Sequence, residues 1–212
     1  MPIIDALEFV RNKKRLPTEA FFVDTNVVLD YADPFGRSLD RASFSRRNEE
    51  TRSVMHWLRS DHKQAYTTVS VALEYYKAIQ VGFYQIFVDQ TNPKSNPSPF
   101  DAQNFKRLRN SDPQFIESWS NQLKVFKRTF TKSFPLYNAN FDLSVFLSDF
   151  DGNMLDFGDH VLFQSAMSCE PEFRCIFSND ADFYSVSDVS YLLTTNSKVI
   201  ARGKKDSRVW EP

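Results

Sequence analysis

Cysteine is scarce in this chain: Cys169 and Cys175 are the two thiols in 212 residues. Their spacing matches no thiolate metal site, and two cysteines make no disulfide framework. A reducing, cytoplasmic setting is the expectation. Histidine is almost as rare. His56, His62 and His160 stand apart, in no ligand-like pattern. Surface or cap roles are expected for them, with His160 beside Asp159 at the edge of any site there. Net charge is also nearly missing, at −1. The whole molecule therefore does not attract a polyanion, although a local basic patch can coexist with an acidic site. No apolar run approaches the roughly 18 residues that a membrane span needs. The opening segment MPIIDALEFVRNKK carries Asp5 and Glu8 where a signal peptide needs an unbroken apolar core. Internal repeats and low-complexity tracts are absent too.

What is present is the balance of an ordinary globular protein, 42% hydrophobic and 25% charged. The length suits one domain with a full core, or one domain with an insertion. Twenty-one phenylalanines are many, and most are expected to fill the core.

Along the chain, strands alternate with helices. Ile3, Leu7 and Val10 have helical spacing, which predicts a short amphipathic helix over 3–10. AFFV (20–23) is a short continuous apolar run, as in a parallel strand buried on both faces. Residues 41–60 predict a helix with Val54, Met55, Trp57 and Leu58 toward the core. AYTTVS (65–70) predicts a second strand, with Ser70 as N-cap of the helix VALEYYKAIQ. Three prolines in TNPKSNPSP (91–99) predict a loop, then helices over about 101–110 and 113–131. FPLYNANFDLSVFLSDF (134–150) suggests a loop and then a helix. GDHVLFQSAMSC predicts a helix stopped by Pro171, and RCIF (174–177) a third buried strand. Either YLLTT or SKVI supplies the last strand. The pattern argues for an α/β fold of three α/β/α layers around a mainly parallel sheet.

Four element ends deliver a carboxylate. Asp24 follows AFFV, Glu74 lies one turn into the helix after AYTTVS, Asp159 opens a helix, and Asp180 follows RCIFSN. In such sheets ligands bind outside the carboxyl ends of the strands. Clustered carboxylates raise one another's pKa, and a hard divalent cation relieves that repulsion. Taken singly, each acid has a plainer use. Asp24 can cap a helix, Glu74 can face solvent, Asp159 can complement a helix dipole, and Asp180 and Asp182 can be turn residues.

In order, VDTNVVLDY, TTVSVALEYYKA, GDHVLFQSAM and IFSNDADF resemble the four motifs of the PIN domain, a metal-dependent nuclease family. Asp24, Thr25 and Asn26 match its aspartate–hydroxyl–asparagine triplet. Ser178, Asn179, Asp180, Asp182 and Phe183 match its last motif, with Ser178 where many members have threonine. Asp159 fits the third motif better than Asp156. The motifs span residues 20–183, and the detailed match rests on about 45 of them. The interval from Glu74 to Asp159 is 85 residues (159 − 74). It is longer than in compact members and implies an inserted helical region at about 89–140 within a single domain, 1–212.

The resemblance implies a Mg²⁺- or Mn²⁺-dependent endoribonuclease that hydrolyses single-stranded RNA to 5′-phosphate and 3′-hydroxyl ends. It names Asp24, Glu74, Asp159 and Asp180 as catalytic metal ligands for one or two ions, with Asp182 and Asp156 as auxiliary candidates. It casts Thr25, Asn26 and Ser178 as residues that orient those carboxylates. It also implies a possible antitoxin partner, as for toxin-type members, and a possible homodimer. FKRLRN (105–110) and KVFKRTF (124–130) interleave cations with phenylalanine, which suits phosphate contact plus base stacking; a solvated helix face with Phe packed inward is the plainer reading. ARGKKDSR (201–208) suggests a frayed, solvated tail, and RNKKR (11–15) the same. Competing functions are a catalytically silent PIN-like RNA- or protein-binding module and a nuclease acting on DNA. A phosphotransferase of the haloacid-dehalogenase type would need a second aspartate where Asn26 stands.

Overall fold

The computed structural model describes residues 1–32, 42–91, 99–137, 155–170, 173–186 and 191–210. Five strands form one all-parallel sheet: β1 Ile3–Asp5, β2 Ala20–Val23, β3 Gln64–Tyr66, β4 Cys175–Phe177 and β5 Tyr191–Thr194. Their spatial order is β1-β5-β4-β2-β3. All four residues of β2 and all three of β4 are buried. Such strands need helices on both faces, and the fold is the expected three-layer α/β/α arrangement.

The helices are α1 Ala6–Arg11, α2 Thr25–Ala32, α3 Ala42–Ser60, α4 Val69–Thr91, α5 Ala102–Ser111 and α6 Pro113–Arg128. A π-helical turn, Thr129–Ser133, continues α6; α7 Phe157–Met167 and α8 Ser197–Lys205 follow. No described helix is long and apolar enough to cross a membrane. One hydrophobic cluster runs from Ile3 through Phe115 and Trp119 to Val199, so α5 and α6 share the core of the sheet region.

The outer half of α4 meets α5 and α6 through rings. Phe83, Phe87 and Phe105 each pack on Phe115 with centroids 5.1, 4.9 and 5.3 Å away. Edge-on pairs of this kind add about 0.5–1.5 kcal/mol each beyond area burial. Phe105, Phe126 and Phe130 point into this core. The phenylalanines of FKRLRN and KVFKRTF are therefore packing residues, not stacking platforms.

Three local expectations need correction, and one open alternative is resolved. Ile3–Asp5 is not helical; it pairs with Leu192–Thr194, because consecutive Ile3 and Ile4 are both fully buried in the sheet. The helix starts at Ala6, where the Asp5 side chain accepts from Leu7 N and Glu8 N. The helix after β3 starts at Val69, and Thr68 caps it by accepting from Val71 N at 3.4 Å. Ser70 lies inside the first turn, with Oγ 2.7 Å from Thr68 Oγ1. Of the two candidates for a last strand, YLLT is β5; SKVI begins α8, capped by Asn196. ARGKKDSR is not frayed: Arg202 and Arg208 lie over the Tyr184 ring, 4.1 and 4.4 Å from its centroid. Pro171 and most of 134–150 lie outside the described residues.

Candidate metal centre

The sheet order places a topological switch at β2. Its successor β3 lies on one side and β4 on the other, and in such sheets ligands bind outside the carboxyl ends where the order reverses. Val23 pairs with Phe177, so the residues just after them, Asp24 and Ser178, emerge side by side. Asp24 N donates to Phe177 O at 3.1 Å.

Asp24 is buried and tightly held. Its Oδ1 accepts from Thr25 N at 2.5 Å. Its Oδ2 accepts from Asn26 Nδ2 at 2.5 Å and Ser178 Oγ at 2.6 Å. Thr25 Oγ1 donates to Glu74 Oε2 at 2.6 Å, tying α2 to α4. Asn26 Oδ1 accepts from Asn179 N at 3.1 Å. Ser178 Oγ accepts from Asp180 N at 2.9 Å. The three residues expected to orient carboxylates thus touch Asp24 or Glu74 directly.

Asp159 enters from α7. Asp156 caps that helix by accepting from Asp159 N at 2.9 Å, which leaves Asp159 in the first turn. Oxygens of Asp159, Asp180 and Asp182 lie within 4.8 Å of one another. Asp182 N donates to Asp180 Oδ1 at 3.0 Å.

The electrostatics bind these groups together. Asp159 is pushed up to about 8, first by burial and then by the charges of Asp24, Asp156, Asp180 and Glu74. Asp24 is raised to about 6. Burial is the main cause, opposed by the hydrogen bonds from Ser178 and Thr25, with Glu74 and Asp180 adding repulsion. Among the described ion pairs, none involves Asp24, Glu74, Asp156, Asp159, Asp180 or Asp182. Distance alone singles out the outer triad, while the electrostatics make Asp24 and Glu74 part of one group with it. Geometry also ties Asp24 and Glu74 to that triad: Ser178 Oγ donates to Asp24 and accepts from Asp180 N, and Glu74 Oε1 lies against Gly158, the neighbour of Asp159.

The donors are all carboxylate oxygens, which is the chemistry of Mg²⁺ and Mn²⁺. Oxygens around one octahedral ion at about 2.1 Å stand at most about 4.2 Å apart. A spread of up to 4.8 Å therefore fits an ion held partly through water. His160 adds no imidazole at the surface: it is buried, correcting the expectation of a surface or cap role, whereas His56 and His62 are exposed.

Gly158 is a site residue that spacing does not reveal. A Cβ there would lie 1.8 Å from Glu74 Oε1 and 3.4 Å from Asp156 Oδ1. The obstructed atom is the end of a flexible side chain, so the fold can yield while the site cannot. Gly158→Ala is expected to displace the Glu74 carboxylate and weaken Mn²⁺ binding about 10–100-fold with a small change in Tm, measured by calorimetric titration and thermal melts. Also unforeseen are the exposed apolar residues Val69, Leu73 and Phe157, which flank Glu74 and Asp156 in sequence, and the cations Arg46, Arg47 and Lys198 beside Asn179.

The fold and site together define an α/β protein with an acid cluster at the switch point of a parallel sheet. No family model, curated protein or solved structure matches the chain.

Proposed function

We propose that this chain is a Mg²⁺- or Mn²⁺-dependent endoribonuclease of the PIN-domain type acting on single-stranded RNA. The observation that carries the reading is that acids from four separated segments adjoin one another: Ser178 Oγ joins Asp24 to Asp180 N, Thr25 Oγ1 joins the Asp24 turn to Glu74, and oxygens of Asp159 and Asp180 lie within 4.8 Å of each other.

Asp24, Glu74, Asp159 and Asp180 would hold the ion, with Asp182 within reach of Asp159 and Asp180. When bound, the ion supplies an acidified water and offsets negative charge on the phosphodiester. The remaining work belongs to the chain. Thr25, Asn26 and Ser178 fix the directions of Asp24 and Glu74 before substrate arrives. Asp156 serves as the cap that orients the first turn of α7, and with it Asp159. Burial and the neighbouring acids favour the protonated form of Asp159 in the ion-free site, and losing that proton makes the site a full set of anionic donors. Attack of water on phosphorus with the 3′-oxygen as leaving group, so that the P–O3′ bond breaks and that oxygen takes up a proton, would leave a 5′-phosphate and a 3′-hydroxyl.

The test is incubation of the purified chain with a labelled single-stranded RNA in Mn²⁺ and in EDTA. Cleavage in Mn²⁺ alone supports the reading. Binding without cleavage points to a silent RNA-binding module, and cleavage of single-stranded DNA in preference to RNA shifts the substrate. Ser178→Ala removes one hydrogen bond to Asp24 and the acceptor of Asp180 N. It is expected to weaken Mn²⁺ binding about 10–100-fold, as read by calorimetric titration.

A further inference from the structure

A cavity of about 710 Å³ lies beside the acid cluster, lined by Arg46, Arg47 and Glu50 of α3, by Asn179, and by Asn196 and Lys198 at the start of α8, with further residues from α1 and the α8 entry. Its size falls within the range of about 300–1,000 Å³ for small-ligand sites. Its charge is the reverse of its neighbour's, with three cations against Glu50. The Arg46–Glu50 contact at 2.9 Å is a solvent-exposed helical pair, weak and easily exchanged for a ligand. Arg47 is built more firmly. Its Nε lies 2.9–3.0 Å from the carboxylate oxygens of Asp30, which is fully buried on α2, while half of the Arg47 side chain faces solvent. A carboxylate so buried is costly unless paired, so Asp30 acts as an anchor that presents a guanidinium, and guanidinium forks match phosphate oxygens.

Asn179 joins this cavity to the acids. It stands between Ser178 and Asp180, and its N–H donates to Asn26 Oδ1 on the acidic side. On the cavity side its Oδ1 accepts from Thr195 N and Thr195 Oγ1 at 2.9 Å, and its carbonyl accepts from Asn196 Nδ2 at 2.8 Å. An anionic strand is repelled by the bare acids and needs cations next to them. The phenylalanine-bearing helices α5 and α6 do not offer a stacking platform there, because Phe105 and Phe115 are buried and Phe126 packs against the core.

We propose that this cavity seats one nucleotide of the substrate strand, next to the scissile phosphodiester, with Arg47 and Lys198 on its phosphate. The assignment rests on the nuclease reading and adds where the strand runs: from the acid cluster across Asn179 toward the N-terminus of α8.

The experiment measures fluorescence anisotropy of a labelled five-nucleotide RNA in EDTA, and KM for a longer RNA in Mn²⁺. It uses wild type, Lys198→Glu, Arg46→Glu and Arg47→Lys; the last keeps a cation beside Asp30 but loses the planar fork. Lys198→Glu is expected to raise Kd at least tenfold and KM in parallel, and to lower the salt slope of binding by about one. Arg47→Lys is expected to raise Kd several-fold. The Mn²⁺-induced rise in Tm should be the same in all four proteins, which separates strand contact from loss of the ion site. Kd and KM within twofold of wild type in both Lys198→Glu and Arg47→Lys overturn the nucleotide seat. Wild-type cleavage with unaltered KM in the variants leaves the nuclease reading standing without the seat. RNA binding that depends on Lys198 in a chain that never cleaves does the opposite.

Discussion

Asp24→Asn should abolish Mn²⁺-dependent RNA cleavage, lowering kcat by on the order of 10³-fold, with little change in stability. The reason for the catalytic loss is that Asp24 is the most central of the acids, buried between β2 and β4 and coupled to Glu74 and Asp180. The small stability effect is a near-cancellation. Holding Asp24 ionised at pH 7 in its buried site costs about 3 kcal/mol, from a shift of about two units to about 6. Asparagine removes that cost but turns an amide N–H₂ toward Asn26 Nδ2 or Thr25 N, both donors. An unsatisfied buried donor costs about 1–3 kcal/mol, so the two effects offset. Cleavage of a labelled oligonucleotide, paired with a thermal melt, reads both. Wild-type cleavage by a folded Asp24→Asn protein would mean that the chemistry lies elsewhere.

Asp159→Asn is expected to do something different: stabilise the protein in EDTA and remove its response to Mn²⁺. Asp159 is pushed up to about 8 by burial and by four neighbouring acids, and no hydrogen bond to its carboxylate is found among the described residues. Its position in the first turn of α7 gives back about 0.3–1 kcal/mol through the helix dipole, less than the repulsion takes away. After discounting for the solvent screening of a half-buried group, the relief is on the order of 2 kcal/mol at pH 8. That corresponds to roughly 4–8 °C in Tm for a chain of this size.

The pH dependence has a definite sign. Below the unfolded value of 3.8 both states hold the proton, and Asp159 imposes no penalty. As pH rises, the unfolded chain releases its proton first and the folded state is progressively disfavoured, until the folded group ionises near 8. Asp24 adds the same trend up to about 6. In EDTA, wild-type Tm should therefore decline between about pH 4 and pH 8. Asp159→Asn should flatten that decline, and Mn²⁺ should reverse it in wild type alone. A wild-type Tm that rises with pH over this window in EDTA would contradict the coupling.

Much of this site could be read from the chain because its acids sit where buried strands stop. AFFV and RCIF are apolar runs that can be recognised without partners, so Asp24 and Asp180 could be placed at strand ends, and the sheet edge brought them together. Ile3–Asp5 was illegible for the opposite reason. Its pairing partner Leu192–Thr194 lies nearly the whole chain away, while the local spacing of Ile3, Leu7 and Val10 mimics a helix. The Thr68 cap was displaced by two residues because Thr67, Thr68 and Ser70 all offer hydroxyls, and tertiary contacts decide among them: Thr67 Oγ1 is drawn to Val23 O at 3.0 Å. Gly158 and Arg47 matter through space. The glycine faces Glu74 from another helix, and the arginine depends on Asp30, which a one-dimensional reading takes for another helix residue. The abundance of phenylalanine signalled a core but could not say that Phe115 gathers Phe83, Phe87 and Phe105 around it.

The most direct measurement is the location of Mn²⁺ by anomalous scattering from crystals grown or soaked with the ion at pH 8. A peak bounded by carboxylates of Asp24, Glu74, Asp159 and Asp180, and lost in Asp159→Asn, is what converging anionic oxygens should produce. A well-ordered, ion-free cluster under saturating Mn²⁺, or a peak confined to other residues, would leave the acids as mere turn and cap groups.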